Sequence, residues 1–205
     1  MEKQNSSTLE KIHSAAKEEF LQKGYRTASL RNIVKNAGVT TGAFYGYYNS
    51  KEELFAALVD EPYKYLLRKY KASLSAFEEL PPEKQPERMG TVGRECMQEM
   101  LVYMNEHKTA FHLILLCSDG TPYETLIDDL VELEVEATER YCDVLCSLGK
   151  TVPAIDKRLE HILVTGMMNA YFEIIIHNMS LTDARQYIYE LNDFYTAGWQ
   201  KIMGQ

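Results

Sequence analysis

Apolar residues return every three to four positions along almost the whole of this sequence, and the strict alternation that would mark half-buried strands is scarce. A chain with that period can bury its apolar stripes only by packing helix on helix, so an all-α fold is expected. The 205 residues suffice to bury a core without crosslinks. With 45% hydrophobic and 25% charged residues, the composition is that of an ordinary globular protein. No repeat or low-complexity tract stands out.

Helix punctuation divides the chain. Ser7 and Glu10 have capping-box spacing, and a stripe of Leu9, Ile12, Ala16 and Phe20 follows, so a first helix is expected from there to Gly24. Ser29 opens a short second helix with Leu30, Ile33, Val34 and Ala37 on one face and Gly38 as its stop. A third should start with Thr40 as N-cap, and a fourth at Ser50, whose spacing to Glu53 again matches a capping box. The fourth should end or kink near Pro62, with helix resuming to about Leu80 before "PPEKQPER" breaks the chain. Helical patterns resume over 89–106, 107–117, 123–148, 155–178 and 183–203, with "SDGTP" and "GKTVP" as turns. Two short helices around "NAGV", supported by the first, have the outline of a helix-turn-helix unit.

The formal net charge is −8, which alone argues against a nucleic-acid partner, but it is unevenly distributed. Through Lys51 there are eight basic and four acidic residues, a net of +4, leaving −12 for the remainder. A basic head is thus joined to an acidic body.

The stretch "GVTTGAFYGYY" sharpens that reading. On a helical wheel Phe44 and Tyr48 fall together, on the side where the first two helices would pack, whereas Gly42 and Gly46 form a bare ridge between Thr41 and Tyr45 on one edge and Ala43 and Tyr47 on the other. An interior glycine costs a helix about 1 kcal/mol relative to alanine. A bare ridge can sink into a DNA groove while the flanking hydroxyls meet phosphate oxygens or base edges. Lys51, in the first turn of the fourth helix, is placed to hold a phosphate. A surface patch of small residues is the bland alternative, disfavoured because cap, turn, charge and bare face coincide.

These residues resemble the DNA-binding domain of TetR-type transcriptional regulators. The match covers about Leu9 to Val59 and is carried by Ile12, Ala15-Ala16, Phe20, "GYRTASL", Ile33, "AGVTTGAFYGYY" and "SKEEL". The resemblance implies a homodimeric repressor that binds a palindromic double-stranded DNA operator and is released by a small-molecule effector. It assigns phosphate contacts to Thr27, Ser29 and Lys51, and groove contacts to Thr40, Thr41, Gly42, Ala43, Tyr45 and Tyr47. Many members carry a longer polar side chain at the position of Thr41 and a larger hydroxyl residue at that of Ala43. Base readout is therefore expected to be sparse here, with DNA shape carrying more of the specificity.

The division expected is a helix-turn-helix DNA-binding domain over 1–54 and a helical ligand-binding and dimerisation domain over 55–205. In the last two helices Ile162, Leu163, Met167, Ala170, Tyr171, Ile174 and Ile175, then Ile188, Leu191, Tyr195, Gly198, Trp199 and Ile202, leave apolar residues on more than one face, and Gly166 and Ala170 permit close approach. Packing within one subunit would account for this equally well by pattern; the resemblance favours a four-helix dimer interface. Met97, Met100, Met104, Phe111, His112, Tyr141, Met168 and Phe172 are the candidate effector-binding residues, an adaptable aromatic and methionine set that is also what a core looks like.

Cys96, Cys117, Cys142 and Cys146 form no CxxC pair and have no histidine at zinc-ligand spacing, so buried free thiols and no metal site are expected. The polar start "MEKQNSSTLEKIH" does not read as a signal peptide, and apolar runs such as "LILLC" fall short of a bilayer span, so no membrane association and a cytoplasmic location are expected. No Walker loop, dinucleotide fingerprint or HExxH motif occurs, so neither an enzyme nor a cofactor is expected. A histidine- and cysteine-based metal sensor is a further rival, but none of those residues cluster. A helical protein-interaction adaptor without sequence-specific DNA binding is the alternative, and it leaves the Gly42/Gly46 face unexplained.

Overall fold

A computed structural model describes residues 2–205, with side chains from Ser7 onward. Among the described residues there are nine α-helices and no strand: α1 (Glu2–Thr27), α2 (Leu30–Asn36), α3 (Thr41–Tyr45), α4 (Lys51–Glu78), α5 (Gln85–Glu106), α6 (Lys108–Cys117), α7 (Leu126–Ser147), α8 (Lys157–Ile176) and α9 (Leu181–Ile202). They build two compact units, the first running through Lys64 and including His107–Thr125, the second comprising Tyr65–Glu106 and Leu126–Gln205. The first unit therefore extends past residue 54 and takes in α6.

Side-chain caps set most helix starts. The hydroxyls of Ser29, Thr40 and Ser180 accept from backbone N–H groups of α2, α3 and α9, and the Asp156 carboxylate does the same for α8. At Ser50 the Glu53 N–H donates to the Ser50 hydroxyl at 3.0 Å, but the returning Glu53 carboxylate accepts from the Asn49 N–H at 2.8 Å, one residue earlier than a standard capping box. The end of α2 is a Schellman turn. Gly38 has φ +64°, its N–H donates to the Lys35 carbonyl, and the Val39 N–H donates to the Val34 carbonyl.

Three expected boundaries need correction. α1 runs from Glu2, so Ser7 lies inside it and does not cap it; the spacing that suggests a capping box is also that of two neighbours on a helix face. Of the two outcomes expected at Pro62, an end or a kink, the end is excluded, since α4 continues through it to Glu78. Pro62 is itself buried and falls in line with Leu58, Leu66 and Tyr70, so tertiary burial of that stripe outweighs the missing N–H. α5 starts at Gln85, before the expected Met89, and the buried Gln85 amide donates to the carbonyls of Glu78 and Leu80.

In the first unit Ile12, Phe20, Ile33, Phe44 and Phe55 are fully buried. Phe20 meets Phe55 edge-on at 5.0 Å between ring centres, and the aromatic contacts continue through Tyr123 to Tyr63. The Tyr123 hydroxyl donates to Asp60 at 3.1 Å, and burial together with that carboxylate pushes the phenol up to about 12. In the second unit α5 packs on α9 and α7 on α8. A Cβ on Gly90 would stand 2.8 Å from the Thr196 side chain, so α5 approaches α9 as closely as glycine allows.

One apolar stretch does reach bilayer length: α8, at 20 residues, is long and apolar enough to cross a bilayer by length and composition. It carries Lys157, Arg158, Glu160, His161 and Glu173, however, and Val164, Met168, Tyr171, Phe172, Ile174 and Ile175 are buried inside the unit. The thiols are all free, and only Cys96 and Cys117 are buried; Cys142 is half-buried and Cys146 exposed.

Candidate functional site

α3 is short and leaves one side uncovered. Thr40, its N-cap, takes the Ala43 N–H at 3.1 Å. Phe44 is fully buried, whereas Thr41, Gly42 and Gly46 are exposed, Ala43 and Tyr47 are half-exposed and Tyr45 is 52% exposed. A Cβ on Gly42 would meet nothing within 4 Å. No neighbour in the chain therefore requires a glycine there, and the bare position opens outward. Gly46 differs, since a Cβ there would come within 3.3 Å of the Ala43 carbonyl at the helix end. Tyr48 is only half-buried, and its hydroxyl meets His13 Nε2 of α1 at 2.5 Å, which ties the end of the α3 turn to the supporting helix.

The residues expected to meet phosphate come together. Lys51 Nζ donates to the carbonyls of Tyr25, Ala28 and Arg26 at 2.6, 3.1 and 3.2 Å and lies 4.5 Å from the centre of the Tyr25 ring. This draws the start of α4 onto the α1–α2 link that carries Thr27 and Ser29. An ammonium has three N–H donors, and in this arrangement each has a carbonyl acceptor. Desolvation lowers the Lys51 pKa. Thr27 is exposed, with its hydroxyl on the Lys23 carbonyl, and the Ser29 hydroxyl caps α2.

Beneath this link is a carboxylate that the sequence reading did not single out. Glu19 is 4% exposed, and its Oε1 accepts from Lys23 Nζ at 2.8 Å, the Ser29 N–H at 3.0 Å and the Asn32 amide at 3.4 Å. The Lys23 and Ser29 bonds, in that order, hold its carboxyl below the usual range. The available signal was its position one residue before Phe20, on the buried face of α1.

The second unit carries a partly open cavity of about 120 Å³ walled by α4, α5, α7, α8 and α9. Of the candidate effector residues, Met97 and Tyr141 line it. Met100, Met104, Met168 and Phe172 are buried in the surrounding core, while Phe111 and His112 lie on α6 in the other unit. Tyr70, Glu134, Asn192 and Trp199 line the cavity and were not foreseen. The Tyr70 hydroxyl donates to Glu134 Oε2 at 2.6 Å. Part of the Glu134 surface forms the cavity wall, and burial pushes its carboxyl up despite the Tyr70 bond. Burial also raises the Tyr70 phenol well above its ordinary value.

Residues 12–58 match the family model described as bacterial regulatory proteins, tetR family. YvdT of Bacillus subtilis, an uncharacterized HTH-type transcriptional regulator, is 33% identical over 120 residues, covering 58% of this chain and 56% of that protein. The chain thus spans little more than half the length of this curated relative. Among solved structures, a tetR-family regulatory protein from Rhodococcus RHA1 aligns over 96% of each chain with a TM-score of 0.59 at 16% identity. A transcriptional regulator from Aquifex aeolicus VF5 aligns over 89% of this chain and 96% of its own with a TM-score of 0.56 at 22% identity. Such identities speak for the fold alone.

Proposed function

We propose that this chain, whose residues 12–58 match the tetR family model, is a TetR-type regulator: a cytoplasmic repressor that holds a palindromic operator as a homodimer and releases it when a small molecule occupies the second unit. The observation that carries this reading is the uncovered side of α3. Gly42 has open space beyond it, with Thr41 and Tyr45 exposed beside it. A helix lying in a major groove needs such a surface, with backbone close to the bases and hydroxyls at the edges. Thr40, Thr41, Gly42, Ala43, Tyr45 and Tyr47 supply the groove surface in this proposal, and Thr27, Ser29 and Lys51 the phosphate contacts. Lys51 must exchange one carbonyl for a phosphate oxygen to do so, and it otherwise fastens α4 to the α1–α2 link.

The homodimer is supported by apolar side chains left open on the last two helices: Leu159 is 46%, Ile162 64% and Phe194 73% exposed. A twofold dimer would place two α3 helices in successive grooves about 34–36 Å apart. An effector that alters that spacing needs a coupling of only about 1–3 kcal/mol to weaken operator binding roughly 5- to 150-fold. α4 is the covalent route for that coupling, since it starts at Lys51 and contributes Tyr70 to the cavity wall.

Selection from random duplexes tests the proposal. An inverted repeat should be enriched, and its affinity should fall steeply with salt. Gly42→Ala is the discriminating variant, because the new Cβ meets nothing in the protein. Thermal stability should hold while operator affinity drops. Enrichment of no sequence, or a Gly42→Ala protein that binds its operator undiminished, would overturn the reading. Phe194→Asp should give a monomer by sedimentation, with weakened operator binding.

A further inference from the structure

We infer that the cavity of the second unit takes a small apolar organic cation, an amine or ammonium carried on a single ring or an equivalent alkyl group, held by Glu134 among aromatic side chains. This deepens the effector reading given above and rests on it.

Size sets the scale of the ligand. The cavity is about 120 Å³, and an apolar protein cavity of ~150 Å³ accepts benzene. The part of the ligand that is enclosed is therefore of the order of one small ring. The walls set its character: Phe77, Tyr141, Tyr195 and Trp199 contribute to them, and Phe77 and Tyr141 meet edge-on at 5.5 Å. Aromatic faces attract cations, the more so when water is excluded.

Charge decides the sign. Among the described residues that line the cavity there is no lysine, arginine or histidine, and Glu134 is the one Asp or Glu. The neighbouring Lys69 is engaged by Glu99. Tyr70 gives Glu134 a hydrogen bond but no positive charge, and an ionised carboxylate has roughly four acceptor sites to satisfy. The carboxyl is accordingly held above its usual range by burial. A bound cation would offset that desolvation by direct Coulomb attraction in a site of low dielectric. An anion would meet Glu134 with no compensating charge, and a neutral guest would leave the carboxylate as it is.

The test uses the full chain and three soluble probes of nearly equal size: benzylammonium, benzyl alcohol and benzoate, compared by calorimetric titration at neutral pH. Benzylammonium should bind more tightly than either of the others by about tenfold or more. Glu134→Gln, checked for an unchanged circular dichroism spectrum, should remove that advantage while leaving benzyl alcohol unaffected. Equal or tighter binding of benzyl alcohol or benzoate, no binding of benzylammonium, or an undiminished benzylammonium affinity in Glu134→Gln would each overturn the inference. The three-probe comparison on the unaltered protein stands even if the variant fails to fold. Operator selection is scored separately: an enriched operator without cation binding sinks this inference alone, and cation binding without an operator sinks the regulator reading alone.

Discussion

Glu19 and Glu134 are both carboxylates drawn away from water, one in each compact unit, and they are treated in opposite ways. Glu19 receives a lysine ammonium, a backbone N–H and a side-chain amide on one oxygen, and its carboxyl is held below the ordinary range. Glu134 has a neutral phenol as its donor and a cavity beside it, and its carboxyl is held above that range. The first is a finished structural joint, in which the ionised form is the one that α1 and α2 are built around. The second has one neutral donor, and a half-buried acid so supplied beside a cavity is what a binding site for a positive charge requires. What most separates the two acids is the supply of donors, three on Glu19 and a phenol on Glu134.

Replacing each acid tests that contrast. Glu19→Ala strands the Ser29 N–H and the Asn32 amide and releases Lys23, and it should lower the unfolding free energy by about 3 kcal/mol in urea titration. Glu134→Gln removes a charge that is poorly satisfied, and it should raise stability by about 1 kcal/mol at neutral pH. A loss in the second case comparable to that in the first would mean that Glu134 is a structural joint as well.

Their pH dependences should run in opposite directions. Glu19 has a folded pKa below its ordinary value of 4.5, so its contribution is fully present above 4.5 and is lost as pH falls through the folded value. Glu134 has a folded pKa above 4.5, so the unfolded chain sheds that proton first, and the stability associated with the group falls as pH rises from 4.5 through the folded value. Unfolding curves across that range should show Glu19→Gln flattening the acid limb and Glu134→Gln flattening the decline above it. The same slope change in both variants would contradict the assignment.

Much of the head was legible because its signals are local. Ser29, Gly38 and Thr40 act within three or four residues of chain, and each holds the backbone as its type dictates. The bare face of Gly42 follows from helical period alone. Pro62 shows where such reading stops, since its local penalty is overridden by burial of the stripe it belongs to. Among the eight candidate cavity residues apolar type was a weak guide, because core and cavity wall are made of the same side chains. The informative residue was polar. Glu134 sits four positions from both Leu130 and Thr138, on the buried face of α7, where an acid has no reason to be unless something pairs with it. Its partner Tyr70 lies 64 residues away, and no local pattern could supply it. The three carbonyls on Lys51 were hidden for the same reason.

The smallest expected effects probe the number of donors rather than the acids themselves. Tyr70→Phe takes from Glu134 a hydrogen bond that favours its ionised form, so the carboxyl should move further up, with a loss of about 1 kcal/mol or less and weaker benzylammonium binding at neutral pH. Asn32→Ala takes from Glu19 its longest hydrogen bond, at 3.4 Å, while Lys23 and the Ser29 N–H remain. The expected loss is about 0.5 kcal/mol, with the Glu19 carboxyl, followed by NMR titration, still below 4.5. If Asn32→Ala were to shift that carboxyl as far as Tyr70→Phe shifts Glu134, Glu19 would be held no more redundantly than Glu134. Their contrast would then have to be sought in burial, since Glu19 is buried and Glu134 half-buried.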